Sequence, residues 1–236
     1  NRGRIITPLK DRFGAEIRTH YPTELEAEVA VIRQEAHLTA EVPDHLVEIL
    51  ARFTRNLRES SSVDQRSGVS ARFAIAGAET IAASALHRAT AYGEDGAVAR
   101  LVDLQTAVDV LGGKVEFETG EEGREADILT HLLRTAIAET VREHLRGIDL
   151  HRLVDAIEEG RLITTGEKVT ARDFLTGLPA LPPEENGETD AYDQVTEALG
   201  ARSDGERAAA IELALEGLFL ARKIAKDADT GETVYG

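Results

Sequence analysis

Apolar residues recur at spacings of three and four in segment after segment, and Gly or Pro closes most of those segments, which restricts the chain to a mainly helical fold. Leu25, Val29, Ile32 and Ala36 trace one face, begun by the capping-box spacing of Thr23 and Glu26 and ending near His37. Leu46, Ile49, Leu50, Phe53 and Leu57 form a second stripe, with Pro43 at the first helical position and Ser60-Ser61-Ser62 beyond it. Ser70 reads as the N-cap of a long helix holding Phe73, Ala76, Ile81, Ala85 and Leu86, with Arg72 in its first turn. Val98, Leu101, Val102, Gln105, Val108 and Leu111 give the next, closed by Gly112-Gly113. Ile128, Leu132, Ala136, Ile137, Val141 and Leu145 fill residues 124–145, which Gly147 stops. Shorter helices are predicted from Asp149 to about Glu159 and from Thr170 to Gly177.

Period-two alternation is confined to short stretches. A helical turn is predicted from Pro8 to Gly14, followed by a strand over Ala15–Tyr21. Lys114–Thr119 also alternates, and Leu162–Thr165 is expected to pair with it as one small hairpin. Residues 179–190 carry Pro179, Pro182, Pro183 and Gly187 among acids, a linker composition. Two helices follow, the second capped by Ser203 and Glu206. Its face of Ala210, Ile211, Ala214, Leu215, Leu218 and Leu220 must pack on the preceding bundle or on another subunit.

With 4% aromatic residues, the core is expected to be aliphatic. The absence of Cys rules out disulfides, thiolate chemistry and Cys-based zinc sites, and suits a reducing cytoplasm, where the chain is expected to reside. No run approaches the length of a membrane span. A net charge of −16 argues against nonspecific nucleic-acid binding as the main task. The opening 22 residues are an exception: Arg2, Arg4, Lys10, Arg12 and Arg18 against Asp11 and Glu16 leave a net +3. The chain opens at Asn1 and contains no Met, so it is expected to continue a longer protein upstream.

The seven histidines show no metal-ligand spacing and are expected at the surface or at helix ends. The acidic pairs Glu121-Glu122, Glu158-Glu159 and Glu184-Glu185 adjoin Gly or Pro and read as solvated loops or helix ends. No Gly-x-x-x-x-Gly-Lys-Ser/Thr occurs. Gly112-Gly113-Lys114-Val115 and Gly166-Glu167-Lys168-Val169 lack both the spacing and the hydroxyl, so the chain alone is expected to lack ATP hydrolysis and to hold no cofactor.

Two arginines stand apart. Ile6-Thr7-Pro8-Leu9-Lys10-Asp11-Arg12-Phe13-Gly14, at a helix end before an alternating strand, resembles the arginine-finger segment of AAA+ ATPases. Ser67-Gly68-Val69-Ser70-Ala71-Arg72 resembles the sensor 2 segment that opens a lid helix. On residue chemistry alone, Asp11-Arg12 is a helix-terminal salt bridge, and Arg72 is an exposed cation set slightly against its helix dipole. The wording of Arg2-Gly3-Arg4-Ile5 through Tyr21-Pro22 is similar to the magnesium-chelatase I subunit and its MoxR-like relatives.

That resemblance covers about residues 1–92 and implies a division of the chain. Residues 1–22 would end an α/β ATPase core, 23–92 would be the helical lid, 93–178 a helical extension, 179–190 a linker and 191–236 C-terminal helices. It also implies ATP and Mg2+ in the intact protein, a homo-oligomeric ring and a chelatase D-type or von Willebrand A-type partner. Arg12 would reach a neighbour's nucleotide and Arg72 its own. Lys10, where the family carries a hydrophobic residue, and the 144 residues past the lid depart from that pattern. A different reading is a non-catalytic helical module that recruits a client through the face at 210–220.

Overall fold

The computed structural model describes residues 8, 11–15, 17, 19–181, 190–229 and 231–236. The chain is mainly helical with one small antiparallel sheet. In order, the helices are α1 (Leu25–Glu35), α2 (Asp44–Glu59), α3 (Ala71–Tyr92), α4 (Leu101–Leu111), α5 (Glu125–His144) and α6 (His151–Glu158). Strand β1 (Ile163–Gly166) follows, then α7 (Ala171–Gly177), α8 (Ala191–Ala198), α9 (Asp204–Leu220), β2 (Lys226–Asp229) and β3 (Glu232–Tyr235).

Two hydrophobic cores share one helix. The first collects Ile32 of α1, Leu46 and Phe53 of α2, Phe73 and Ile81 of α3, Leu104 and Leu111 of α4, Leu133 and Ile137 of α5, and Leu213 of α9. Residues on either side of Gly93 therefore bury against one another. The second joins Leu153 and Ile157 of α6, Ile163, Phe174, Tyr192, Tyr235 and, from α9, Ile211 and Leu215. The α9 helix is buried on every side from Ala208 to Leu218, as a helix apolar all round must be. Burial of Ile211, Leu213 and Leu215 contributes about 1.5–3 kcal/mol each, which seats α9 between the two layers. Its approach to α5 leaves no room for a side chain at Gly217, where a Cβ would meet Val141 Cγ1 at 2.6 Å. Of the two placements expected for this face, it takes the one on the chain's own helices.

Several expectations are corrected. The sheet order is β1-β3-β2, with Ile163 opposite Tyr235 and Lys226 also opposite Tyr235, so residues 163–166 pair with the C-terminal hairpin, and the expected pairing of 162–165 with 114–119 does not form. Residues 112–114 form a 3-10 turn, and Phe117 instead bridges Val63. Among the described residues of 15–21 none is in a strand. Of the helical turn expected over Pro8–Gly14, Pro8 is helical and 11–14 form a turn and bend, while residues 9 and 10 lie outside the described residues, as does most of the linker, 182–189. The α1 helix begins at Leu25 with Glu24 as N-cap, so the Thr23 and Glu26 pair does not form the capping box. Pro43 is the N-cap of α2, one position earlier than predicted. Thr170 caps α7, its Oγ1 accepting from the Asp173 amide, and the box at Ser203 forms as expected, Ser203 Oγ accepting from the Glu206 amide.

Candidate functional site

Arg72 stands at the second position of the 22-residue α3, after N-cap Ser70. It is exposed, and no described residue pairs with it. The Ser70 side chain makes no capping bond, which leaves the first turn of α3 without a side-chain acceptor. A cation here opposes the helix dipole by a few tenths of a kcal/mol, roughly, whereas an anion held between Arg72 and the helix terminus would reverse the sign.

The loop that delivers Arg72 is gripped from both sides. On one side, the Asp64 amide donates to the Glu116 carbonyl at 2.8 Å and the Glu118 amide to the Ser62 carbonyl at 2.9 Å. Ser62 Oγ donates to Glu121 at 2.9 Å, and Ser67 bonds Glu116. Residues beyond Gly93 therefore build this loop's outer wall. On the other side stands Arg58, which donates to Glu28 of α1 and to the Val69 carbonyl. Gly68 turns the loop at φ 68°, where a Cβ would also meet the Tyr21 hydroxyl at 2.8 Å.

Arg12 lies in an exposed turn at 11–14, on the arm that ends at Tyr21. Among the described residues neither Asp11 nor Arg12 enters a salt bridge, with each other or otherwise. Phe13 and Ile17 on the same arm are exposed, while Lys10, Glu16 and Arg18 lie outside the described residues. The fold links the two arginines through Tyr21 and the 63–70 loop without bringing them into contact.

The interior carries charges that the sequence analysis did not single out. Arg100 and Glu212 are 0% and 2% exposed and form an ion pair. Thr165 and the Val169 carbonyl take further donors of Arg100, and the Arg100 amide donates to Asp103 at 2.8 Å. Asp103 in turn accepts from Ser84 at 2.7 Å and from Arg88 at 3.1 Å. Burial would raise the Glu212 pKa, but the Arg100 charge and its bonds outweigh that, so the carboxyl titrates below its usual range. Near it, Glu216 accepts from Lys226 and from the Tyr235 hydroxyl, both at 2.7 Å. Burial first and Glu216 second push that phenol upward. Thr165, Glu212, Glu216, Lys226 and Tyr235 line a cleft of about 340 Å³ between α4, α5 and the sheet. Every buried charge in it is paired, so it is a structural network joining the two cores. The signal available in the sequence was Glu212 and Glu216, spaced i, i+4 inside an otherwise apolar run.

His45 stands at a helix end, as expected, but is buried. It is 3% exposed, and neither ring nitrogen makes a hydrogen bond. Burial first and then His144 lower its pKa to about 4, against the weaker pull of Asp44, Glu212 and the Ala209 backbone. His144 bonds Glu48 at 2.7 Å, which raises its own pKa. Among the described residues no cluster of three or more His, Asp or Glu side chains could hold a metal ion. No described helix is long and apolar enough to cross a membrane. Comparison with protein-family models, with curated proteins and with solved structures finds no match.

Proposed function

We propose that the chain is the C-terminal part of a cytoplasmic, ring-forming AAA+ ATPase resembling the magnesium-chelatase I subunit. In this reading Arg72 contacts the nucleotide of its own protomer, and Arg12 contacts the nucleotide of the neighbour. The observation that carries it is Arg72: an exposed arginine without a partner among the described residues, in the open first turn of a long helix, at the end of a loop braced on both sides. A solvated surface arginine needs no such bracing. Its guanidinium is suited to a phosphate oxygen, and the helix terminus adds to the attraction.

Residues 23–92 supply a bundle of three packed helices, α1 to α3, in the role of lid. Exposed Phe13 and Ile17 on the Arg12 arm are what the margin of a larger α/β core would carry. ATP and Mg2+ would be the cofactors of the intact protein, with Arg72 and Arg12 offered to the phosphates. A chelatase D-type or von Willebrand A-type partner would then engage the ring. The alternative recruiting module loses its basis, because the 210–220 face is spent on the chain's own cores.

The test is nucleotide affinity and turnover in the full-length protein with and without Arg72→Ala. The reading expects weaker ATP binding or slower hydrolysis in the variant, at unchanged melting temperature. Unchanged affinity and turnover would return Arg72 to a surface residue.

A further inference from the structure

Arg58, the penultimate residue of α2, is one cation with partners on three separate segments. Nη1 and Nη2 donate to the two carboxylate oxygens of Glu28 at 2.7 and 2.9 Å, tying α2 to α1. Nε donates to the Val69 carbonyl at 2.7 Å, immediately before the N-cap of α3. The face of the same guanidinium lies 4.0 Å from the centre of the Tyr21 ring. The Arg58 and Glu28 side chains are 8% and 1% exposed, so the fork is held rigidly, whereas the ring it stacks on is half open to solvent.

The consequence is positional. Val69 is three residues before Arg72, and fixing its carbonyl fixes how the chain enters α3. Tyr21 ends the arm bearing Arg12, and its hydroxyl rests against Gly68. A buried ion pair meant only for stability would need the carboxylate alone; here the remaining Nε and the ring face are used to join two other segments. Lysine could not replace this arrangement, because an ammonium has no planar fork to grip both oxygens, a carbonyl and a ring together.

We propose that Arg58 is a positioning residue for the nucleotide site, setting Arg72 through Val69 and tying the Arg12 arm to the same point through Tyr21. The inference rests on the ATPase reading above.

Steady-state ATP hydrolysis by the full-length protein tests it, with Arg58→Lys, Tyr21→Leu and Arg72→Ala alone and in pairs. Arg58→Lys is expected to lower kcat/KM by roughly tenfold, and Tyr21→Leu by a smaller factor. Arg58→Lys should cost less once Arg72 is already Ala, because the part of its effect that runs through Val69 is then gone. Tyr21 is partly exposed, so Tyr21→Leu keeps the test alive if Arg58→Lys folds poorly. An Arg58→Lys loss that multiplies fully with that of Arg72→Ala, or an unchanged kcat/KM in a folded Arg58→Lys or Tyr21→Leu protein, would overturn the positioning role and leave the ATPase reading standing. A wild-type protein that neither binds nor hydrolyses ATP would instead overturn the ATPase reading itself, and the inference with it.

Discussion

Replacing His45 with Leu should remove a large part of the chain's sensitivity to acid. His45 sits at the second position of α2, buried and without a hydrogen bond, and its pKa falls from 6.5 to about 4. As the pH drops the unfolded chain takes up the proton first. The stability that neutral His45 allows is therefore complete above 6.5 and is lost as the pH falls from there towards 4. A shift of this size amounts to about 2 kcal/mol by pH ~5 and about 3 kcal/mol by pH ~4. His144 has the opposite trend, since its raised pKa adds stability at low pH that is lost as the pH rises through that pKa. His144 and Glu48 are present in both proteins, so their contribution largely cancels in the comparison. Chemical denaturation followed by circular dichroism at about pH 7.5 and about pH 5 measures the difference directly. Relative to wild type, His45→Leu should gain about 2 kcal/mol on going to the lower pH. Parallel losses in the two proteins would mean that His45 is solvated or already charged in the folded state.

Three further outcomes follow from the packing. Gly217→Ala should lower the melting temperature: the new Cβ would stand 2.6 Å from Val141 Cγ1, and overpacking at about 1–3 kcal/mol outweighs the roughly 1 kcal/mol gained in helix propensity. Arg100→Met leaves Glu212 buried and unpaired at a cost of about 3–5 kcal/mol, and adding Glu212→Leu should recover most of it; a double variant no more stable than the single one would refute the pairing. Ser203→Ala should cost about 1 kcal/mol in thermal denaturation, because it opens the capping box of α9.

The helices were largely legible because each carries its own apolar period and most have a cap or a stop in sequence. Gly93 ends α3 in the left-handed conformation, and Ser203 with Glu206 begins α9. The sheet was not legible. Strand β2 reads Lys-Asp-Ala-Asp, with no alternation to mark it, and β1 pairs with β3 across more than sixty residues of chain. The burial of Arg88, Arg100, Asp103, Glu212 and Glu216 was not legible for a related reason, since a charge reads as surface until its partner on another helix is known. At the candidate site, the first-turn position of Arg72 was readable from Ser70. The brace was not, because Tyr21, Glu28, Arg58 and Val69 meet only in three dimensions.

Mixing two inactive full-length variants addresses the central claim, that Arg12 acts in trans and Arg72 in cis. Arg12→Ala protomers keep an intact Arg72, and Arg72→Ala protomers keep an intact finger. In a ring mixed at random in equal amounts, about a quarter of the interfaces would pair an intact Arg72 with a neighbour's intact Arg12. Since an arginine finger is worth roughly 10³ to 10⁵ in turnover, those interfaces would dominate the observed rate. The account predicts ATP hydrolysis in the mixture well above the mean of the two variants assayed separately. A mixture no faster than that mean, or Arg12→Ala rings that hydrolyse ATP at the wild-type rate, would contradict it.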